Sequence, residues 1–600
     1  MLNNRSFNMF KVITVCMWLF AFNNLVSSEY IYEGLSNTYE PDWWQTEIIY
    51  QIYVRSFRDS DGDGIGDLNG ITEKVSYFKS IDVGAVWLSP IFLSPQNDFG
   101  YDISDYKEID PIYGTMADFE RMRDEFHKHG IKLLLDFVPN HTSDEHEWFQ
   151  KSIKKIEPFT DYYVWKDPVV DKHGNNTPPS NWLGVFNSGS AWEWNDERQQ
   201  YYLHQFQVKQ PDLNYRNPSV REEIKNTLLY WLGRGVDGFR FDAVNYLFER
   251  EDLADEPKSN KIGYLDTDYD SLTHTSTLDQ PETYSIVRQW RQMLDSYRTR
   301  EKKTKFMMVE CYSPFNKTMM YYGNQSEPGA HFPFNFLFIN TFDQQSDAAR
   351  VHELIRSWIK GMPSGMWPNW VLGNHDNSRV ATRTNPMLVD GLHMIQHLLP
   401  GTSVTYYGDE LGMIDTNVRW DQTVDPAGLN VGPYRFLKFS RDPVRTPFPW
   451  DSTYNAGFSN SSNLWLPLNA DYWKKNIAEE TKYKSNLRSY RQLARLRRSL
   501  TFVKGDLHLY TLSKWVFGFS RSFYDHPTYF IVVNFGSEIE IVNLLKHRNT
   551  LPMTLKIKVS SINSGYVTGN LVSTESVLLR PKAALVLTTS RINEDTFSNL

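Results

Sequence analysis

Eight short apolar, β-rich runs recur along this chain, at 47–54, 84–91, 132–138, 238–244, 305–311, 331–338, 367–373 and 402–407. A polar or glycine-rich stretch and then a longer amphipathic segment follow them. Parallel strands need crossover connections of a dozen residues or more, and that rhythm predicts a (β/α)8 barrel of the α/β class. An open doubly wound sheet is the alternative, and no GxGxxG or phosphate loop supports it. The 139–237 gap is too long for one loop and helix, so an inserted domain is expected at 139–209 after strand three. The barrel then spans 43–138 and 210–500. Beyond it, alternating runs at 506–512, 515–522, 528–534 and 554–559 predict a C-terminal antiparallel β-sandwich over 501–590.

Gly238-Phe239-Arg240-Phe241-Asp242-Ala243-Val244, in the fourth run, is the most informative segment. Strand side chains alternate, so Arg240 and Asp242 share a face, where either charge left buried and alone costs about 1–3 kcal/mol or more. A structural ion pair would satisfy them. Polar groups also mark the ends of other strands: Asp136 and Asn140-His141 after the third, Glu310 on the fifth, and Asn374-His375-Asp376 after the seventh. Barrel enzymes keep their chemistry on that C-terminal rim. Several carboxylates in one cleft predict glycoside cleavage by a nucleophile and a general acid. Neighbouring strands place Asp242 and Glu310 near the roughly 5–5.5 Å of a retaining enzyme. Arg240 favours an ionised Asp242, and the apolar Phe306–Val309 run favours a protonated Glu310. A metal hydrolase built on His141, His375, Asp136 and Asp376 is the rival reading, without an HExxH cluster to support it.

Asp59-Ser60-Asp61-Gly62-Asp63-Gly64-Ile65-Gly66-Asp67 reproduces most of the oxygen spacing of an EF-hand loop, with Gly70 where the bidentate glutamate would stand. A structural Ca²⁺ is expected there, and an acidic turn without metal is the alternative. The formal net charge of −9 argues against a nucleic-acid partner. Aromatics make up 15 % of the residues, which suits stacking on sugar rings as well as filling cores. Arg5 and Lys11, the apolar run Val12–Phe22 and Val26-Ser27-Ser28 read as a signal peptide over 1–28. That apolar run is shorter than the roughly 20 residues of a membrane span, so a secreted protein with no span in its mature chain is expected. Cleavage leaves Cys311 as the sole cysteine, with no internal disulfide. Asn175, Asn316, Asn324 and Asn460 head glycosylation triplets; Asn140 heads another but belongs to the cleft.

Asp136–His141, Gly238–Asp242, Glu310 and Asn374–Asp376 resemble, in order, four hallmark segments of the α-amylase family of glycoside hydrolases. Gln210-Pro211-Asp212-Leu213-Asn214 resembles the fifth, in the form of the oligo-1,6-glucosidase and α-glucosidase branch. The resemblance implies Asp242 as nucleophile, Glu310 as acid/base and Asp376 as transition-state stabiliser. It implies that His141, Arg240 and His375 contact the sugar, that Tyr101 stacks beneath it, and that Asp102 with Arg379 grips its non-reducing end. Phe186 and Arg445 look like rim residues facing the leaving group. Asp59, Asp61, Asp63, Asp67 and the Ile65 carbonyl resemble the family's metal ligands. In this branch a valine after the nucleophile goes with α-1,6 linkages and smaller residues with α-1,4; Ala243 therefore resembles the maltase pattern, with small α-glucosides as substrates. Two alternatives stay open: a glucosyl transferase or isomaltase of the same branch, and a non-catalytic module like the amino-acid transporter heavy chains.

Overall fold

The computed structural model describes residues 29–589; the expected signal peptide and residues 590–600 lie outside the described residues. Each expected strand is present: β1 (Ile48–Ile52), β2 (Ala85–Leu88), β3 (Lys132–Phe137), β4 (Gly238–Phe241), β5 (Phe306–Val309), β6 (Phe332–Pro333), β7 (Asn369–Val371) and β8 (Thr402–Tyr406). They pair in the order β6-β5-β4-β3-β2-β1-β8-β7, and each of these pairs is parallel. The β6–β7 seam is closed by side chains. Pro333 has no N–H to offer a ladder. Instead the Asn335 N–H donates to Asn369 Oδ1 at 2.9 Å, Asn335 Nδ2 to the Asn369 carbonyl at 3.1 Å, and Asn369 Nδ2 to the Pro333 carbonyl at 2.8 Å.

Alternation along β4 sorts its residues by chemistry. Phe241 faces out and stacks on Trp290 of the helix Pro281–Glu301, with ring centroids 4.8 Å apart. Arg240 faces the barrel axis, and the parallel register sets it beside Asp136 on β3 and Met308 on β5. The apolar half of the strand thus fixes the helix layer while the charged half is delivered to the rim.

The segment after β3 carries a small antiparallel sheet, Trp192–Asn195, Gln200–Leu203 and Trp165–Lys166, packed on Trp182, whose ring stacks on Trp192 at 5.6 Å. The C-terminal part is an antiparallel sheet through 506–511, 516–522, 529–534, 584–588, 554–560 and 571–573, faced by the pair 540–542 and 577–579. Its outer edge is Glu29–Tyr32, which pairs with 506–511. Four residues between two uncertain boundaries carry no readable alternation, which is why that strand is not visible in the sequence. Among the described residues no helix is long and apolar enough to cross a membrane.

Candidate active site

Arg240 is the hub. Its Nη1 lies 2.8 Å from Asp136 Oδ1 and 2.6 Å from Asp242 Oδ1, and its Nη2 lies 2.7 Å from Glu310 Oε1. One guanidinium therefore holds three carboxyl groups from three adjacent strands. Trp87 closes the underside, donating its indole N–H to Asp136 Oδ2 at 3.1 Å and lying 5.1 Å beneath the guanidinium.

Burial pushes Asp242 up to about 6 despite the lowering pull of Arg240, and Asp136 beside it rises equally, to about 6. Glu310 rises well above the carboxylate range, through burial first and then the charges of Asp242 and Asp376, against the pull of Arg240. Asp376 moves the other way. Burial opposes its ionisation, but the guanidiniums of Arg445 and Arg441 hold it well below the ordinary value. One cleft thus holds an ionised Asp376, an Asp242 that is mostly a carboxylate at neutral pH, and a protonated Glu310. The histidines are neutral: burial depresses His141 to about 3 and His375 well below its usual value.

These groups open into a cavity of about 940 Å³, lined also by Tyr101, His141, Phe186, Phe206 and Ala243. Tyr101 lies parallel to the His375 ring at 5.4 Å, its hydroxyl 2.6 Å from His375 Nε2 and 3.1 Å from Asp136 Oδ2. His141 is set by the Tyr101 carbonyl, 3.1 Å from its Nε2. Ala243 occupies the left-handed region at φ 47°, turning the chain sharply after Asp242.

Three expected contacts are corrected. Asp102 and Arg379 do not form a grip on a sugar. Asp102 is wholly buried, accepting from Ser94 Oγ at 3.0 Å and from the N–H groups of Asn97 and Asp98 at 2.8 and 2.9 Å, so it pins its own loop. Arg379 opens a short helix, and its guanidinium turns into the barrel wall to the carbonyls of Tyr407 at 2.8 Å and Val444 at 3.0 Å. Arg445 is not on the rim but wholly buried beneath the site, donating to the His375 carbonyl at 2.8 Å and to Asp376 Oδ1 at 2.9 Å.

Asp98 and Arg441, which sequence reasoning missed, stand where the grip was sought. Arg441 Nη2 meets Asp98 Oδ1 at 2.8 Å and Asp425 Oδ1 at 2.7 Å, its Cζ lies 4.3 Å from the Phe186 ring, and both members of the pair line the cavity. The turn in which the Tyr101 N–H bonds the Asp98 carbonyl at 3.1 Å presents Asp98 to the cleft and leaves Asp102 inside. Asp98 and Arg441 thus bring a buried ion pair into the cavity lining beside Phe186.

In the acidic loop, carboxylate oxygens of Asp59, Asp61 and Asp67 lie within 4.8 Å of one another. Asp63 does not join them; its Oδ1 accepts the Ile65 N–H at 2.7 Å, an Asx turn that carries it aside. Asn175, Asn316, Asn324 and Asn460 are exposed, whereas Asn140 is buried against His141. Cys311 is a buried free thiol.

Comparison with known proteins agrees with this geometry. The α-amylase catalytic-domain model matches residues 51–505. The chain is 46 % identical over 555 residues to a salivary alpha-glucosidase of Anopheles gambiae, covering 91 % of this chain and 93 % of that protein. It is 44 % identical over 556 residues to maltase A1 of Drosophila melanogaster, covering 91 % and 96 %. Among solved structures it is similar to the alpha-glucosyl transfer enzyme XgtA, with a TM-score of 0.81, 33 % identity, and coverage of 92 % of this chain and 100 % of that one.

Proposed function

The chain belongs to the α-amylase family of glycoside hydrolases, and from that premise we propose that it removes terminal α-1,4-linked glucose from maltose, short oligosaccharides and sucrose, outside the cell, with retention of configuration. The observation that carries this reading is the lining of one pocket, in which Asp242 and Glu310 share the Arg240 guanidinium and the Asp98–Arg441 ion pair is read as closing the far end. A glucose unit at a chain end fits such a site; the middle of a polymer does not.

Glu310, held protonated, gives its proton to the glycosidic oxygen as Asp242 attacks the anomeric carbon, and the leaving sugar departs with that proton. The carboxylate of Glu310 then takes a proton from water, which displaces Asp242 and frees glucose. Asp242 and Glu310 hold the same guanidinium, through its Nη1 at 2.6 Å and its Nη2 at 2.7 Å, and this shared anchor supports the close pair of carboxyls that a retaining enzyme uses. Asp376, kept ionised by its cationic neighbours, faces the positive charge that develops on the ring. Asp98 and Arg441 replace Asp102 and Arg379 as the grip on the sugar's far hydroxyls.

Product analysis tests the proposal. Maltose is expected to be cleaved faster than isomaltose, as Ala243 implies, and starch only from its ends. Proton NMR of the first glucose released is expected to show the α-anomer; an early β-anomer overturns retention.

A structural calcium fits the acidic loop, held by Asp59, Asp61, Asp67 and the Ile65 carbonyl. Burial and the mutual repulsion of Asp59, Asp63 and Asp67 raise Asp61, which a bound cation would relieve. Chelation is expected to lower Tm by roughly 2–5 °C, restored by added Ca²⁺, with scanning calorimetry as the check; an unchanged Tm removes the metal from the account. A cleaved leader and glycans on the four exposed triplets complete the proposed secreted form.

A further inference from the structure

Three chain segments that supply part of the pocket lining are joined to one another in a ring, a collar on the pocket. Tyr269 donates its N–H to Asn187 Oδ1 at 2.9 Å, joining the loop after β4 to the inserted segment. Asn430 Nδ2 donates to the Phe186 carbonyl at 3.0 Å, joining the loop after β8 to that same segment. Arg435 closes the ring by gripping Asp268 with both terminal nitrogens, one of them at 3.0 Å.

The third joint differs from the other two. They each use a main-chain group, so they follow the backbone; the Arg435–Asp268 contact is made by two side chains, with Lys438 Nζ adding a longer bond to the Gly263 carbonyl, at 3.3 Å, between the same loops. It is also unlike an ordinary surface ion pair, which contributes little. The contact is bidentate, and Asp268 is only 2 % exposed and already fixed by the Leu265 N–H at 2.8 Å. Arg435 does not line the pocket, but Lys438 and Phe439, on the turn of helix it precedes, do, as does Tyr264 on the opposite loop. Lys438 Nζ sits 3.8 Å from the Tyr264 ring, so the two loops that meet at this joint both carry groups that line the pocket.

We propose that this collar is a length filter on the leaving group, with Arg435 as the positioning residue that sets it. The proposal rests on the α-glucosidase reading. On that reading Asp98 and Arg441 hold the sugar at the far end, so everything beyond the scissile bond must lie in the remaining cavity or thread the collar. A short leaving group stays inside. A long one loses conformational freedom in passing a ring of fixed width, and that cost falls on longer chains alone.

The test compares kcat/KM for maltose and maltohexaose in the wild type, Arg435→Ala and Arg435→Lys. Arg435→Ala is expected to leave maltose within about two-fold and to raise the maltohexaose-to-maltose ratio roughly five-fold or more, through KM for the hexaose. Arg435→Lys, which keeps one charge contact, is expected to fall between. A ratio unchanged in Arg435→Ala, whether or not both activities drop together, overturns the filter and leaves Arg435 a structural residue. Failure of the wild type to cleave maltose rejects the underlying reading instead, so the two failures are told apart.

Discussion

Replacing Asp242 with asparagine is expected to lower kcat/KM on maltose by on the order of 10⁴-fold or more, the scale seen when a covalent nucleophile is removed, while the fold persists. Persistence follows from the sign of the carboxyl's shift. Burial raises Asp242 to about 6, above the ordinary carboxylate value, so the folded state binds its proton more tightly than the unfolded chain does. Stability therefore falls as pH rises from near 4 through 6, and at pH 7 the ionised group is a cost. The amide removes that cost, so Tm at pH 7 is expected to match or exceed the wild type's. Azide rescue then separates the roles. In Asp242→Gly, azide enters from the face the carboxylate vacated and gives β-glucosyl azide; in Glu310→Ala it attacks the glycosyl-enzyme and gives the α-azide. The opposite pairing of products would exchange the two assignments, and turnover by Asp242→Asn at the wild-type rate would remove Asp242 from the chemistry.

The barrel is legible in the sequence because strand and helix periodicities differ and alternate eight times. The inward set Asp136, Arg240, Asp242 and Glu310 is legible because buried charges on apolar strands need one another. What alternation cannot reach is the loops. Asp98 and Asp102 stand in one turn, both acidic, and it is hydrogen bonds of the folded turn, from Ser94, Asn97 and Asp98 to Asp102 and from the Tyr101 N–H to the Asp98 carbonyl, that leave Asp102 inside and Asp98 at the cleft. Arg379, Arg441 and Arg445 are likewise three arginines after strands seven and eight, outside any regular strand. Their directions are chosen by tertiary partners, Asp98 at a separation of 343 residues for Arg441, and groups 28 to 70 residues away for Arg379 and Arg445. The collar has the same character, since Asn187, Asp268 and Asn430 meet their partners only once the three loops are folded over one rim. Local pattern therefore points to the carboxyls that gather at one rim, and tertiary contacts decide which polar groups line the pocket beside them.

Removing Arg240 is expected to have the second large effect, and its signature is a dependence on pH rather than the loss alone. In Arg240→Met the Asp136, Asp242 and Glu310 carboxyls lose their only shared cation, and breaking a buried pair typically costs about 3–5 kcal/mol. Activity should fall by about 10³-fold or more, since Glu310 and Asp242 lose both placement and electrostatic contrast. With the guanidinium gone, burial acts unopposed and the folded-state values of Asp136 and Asp242 rise above the present value of about 6. The unfolded chain keeps carboxylates near 4, so between these limits the folded variant binds more protons than the unfolded one, and its stability drops as pH increases. The wild type's own carboxyls titrate near 6, so the Tm deficit against it should be small near pH 4.5, grow from about pH 6 upward and level off above the raised values. Arg240→Lys, which keeps a charge but not the fork that reaches several carboxyls at once, should show a smaller deficit with the same direction, and it carries the test if the methionine variant does not fold. A deficit that is flat with pH in both variants would show that Arg240 acts by packing under Tyr101 and over Trp87, and not by holding three acids at the protonation states that the chemistry needs.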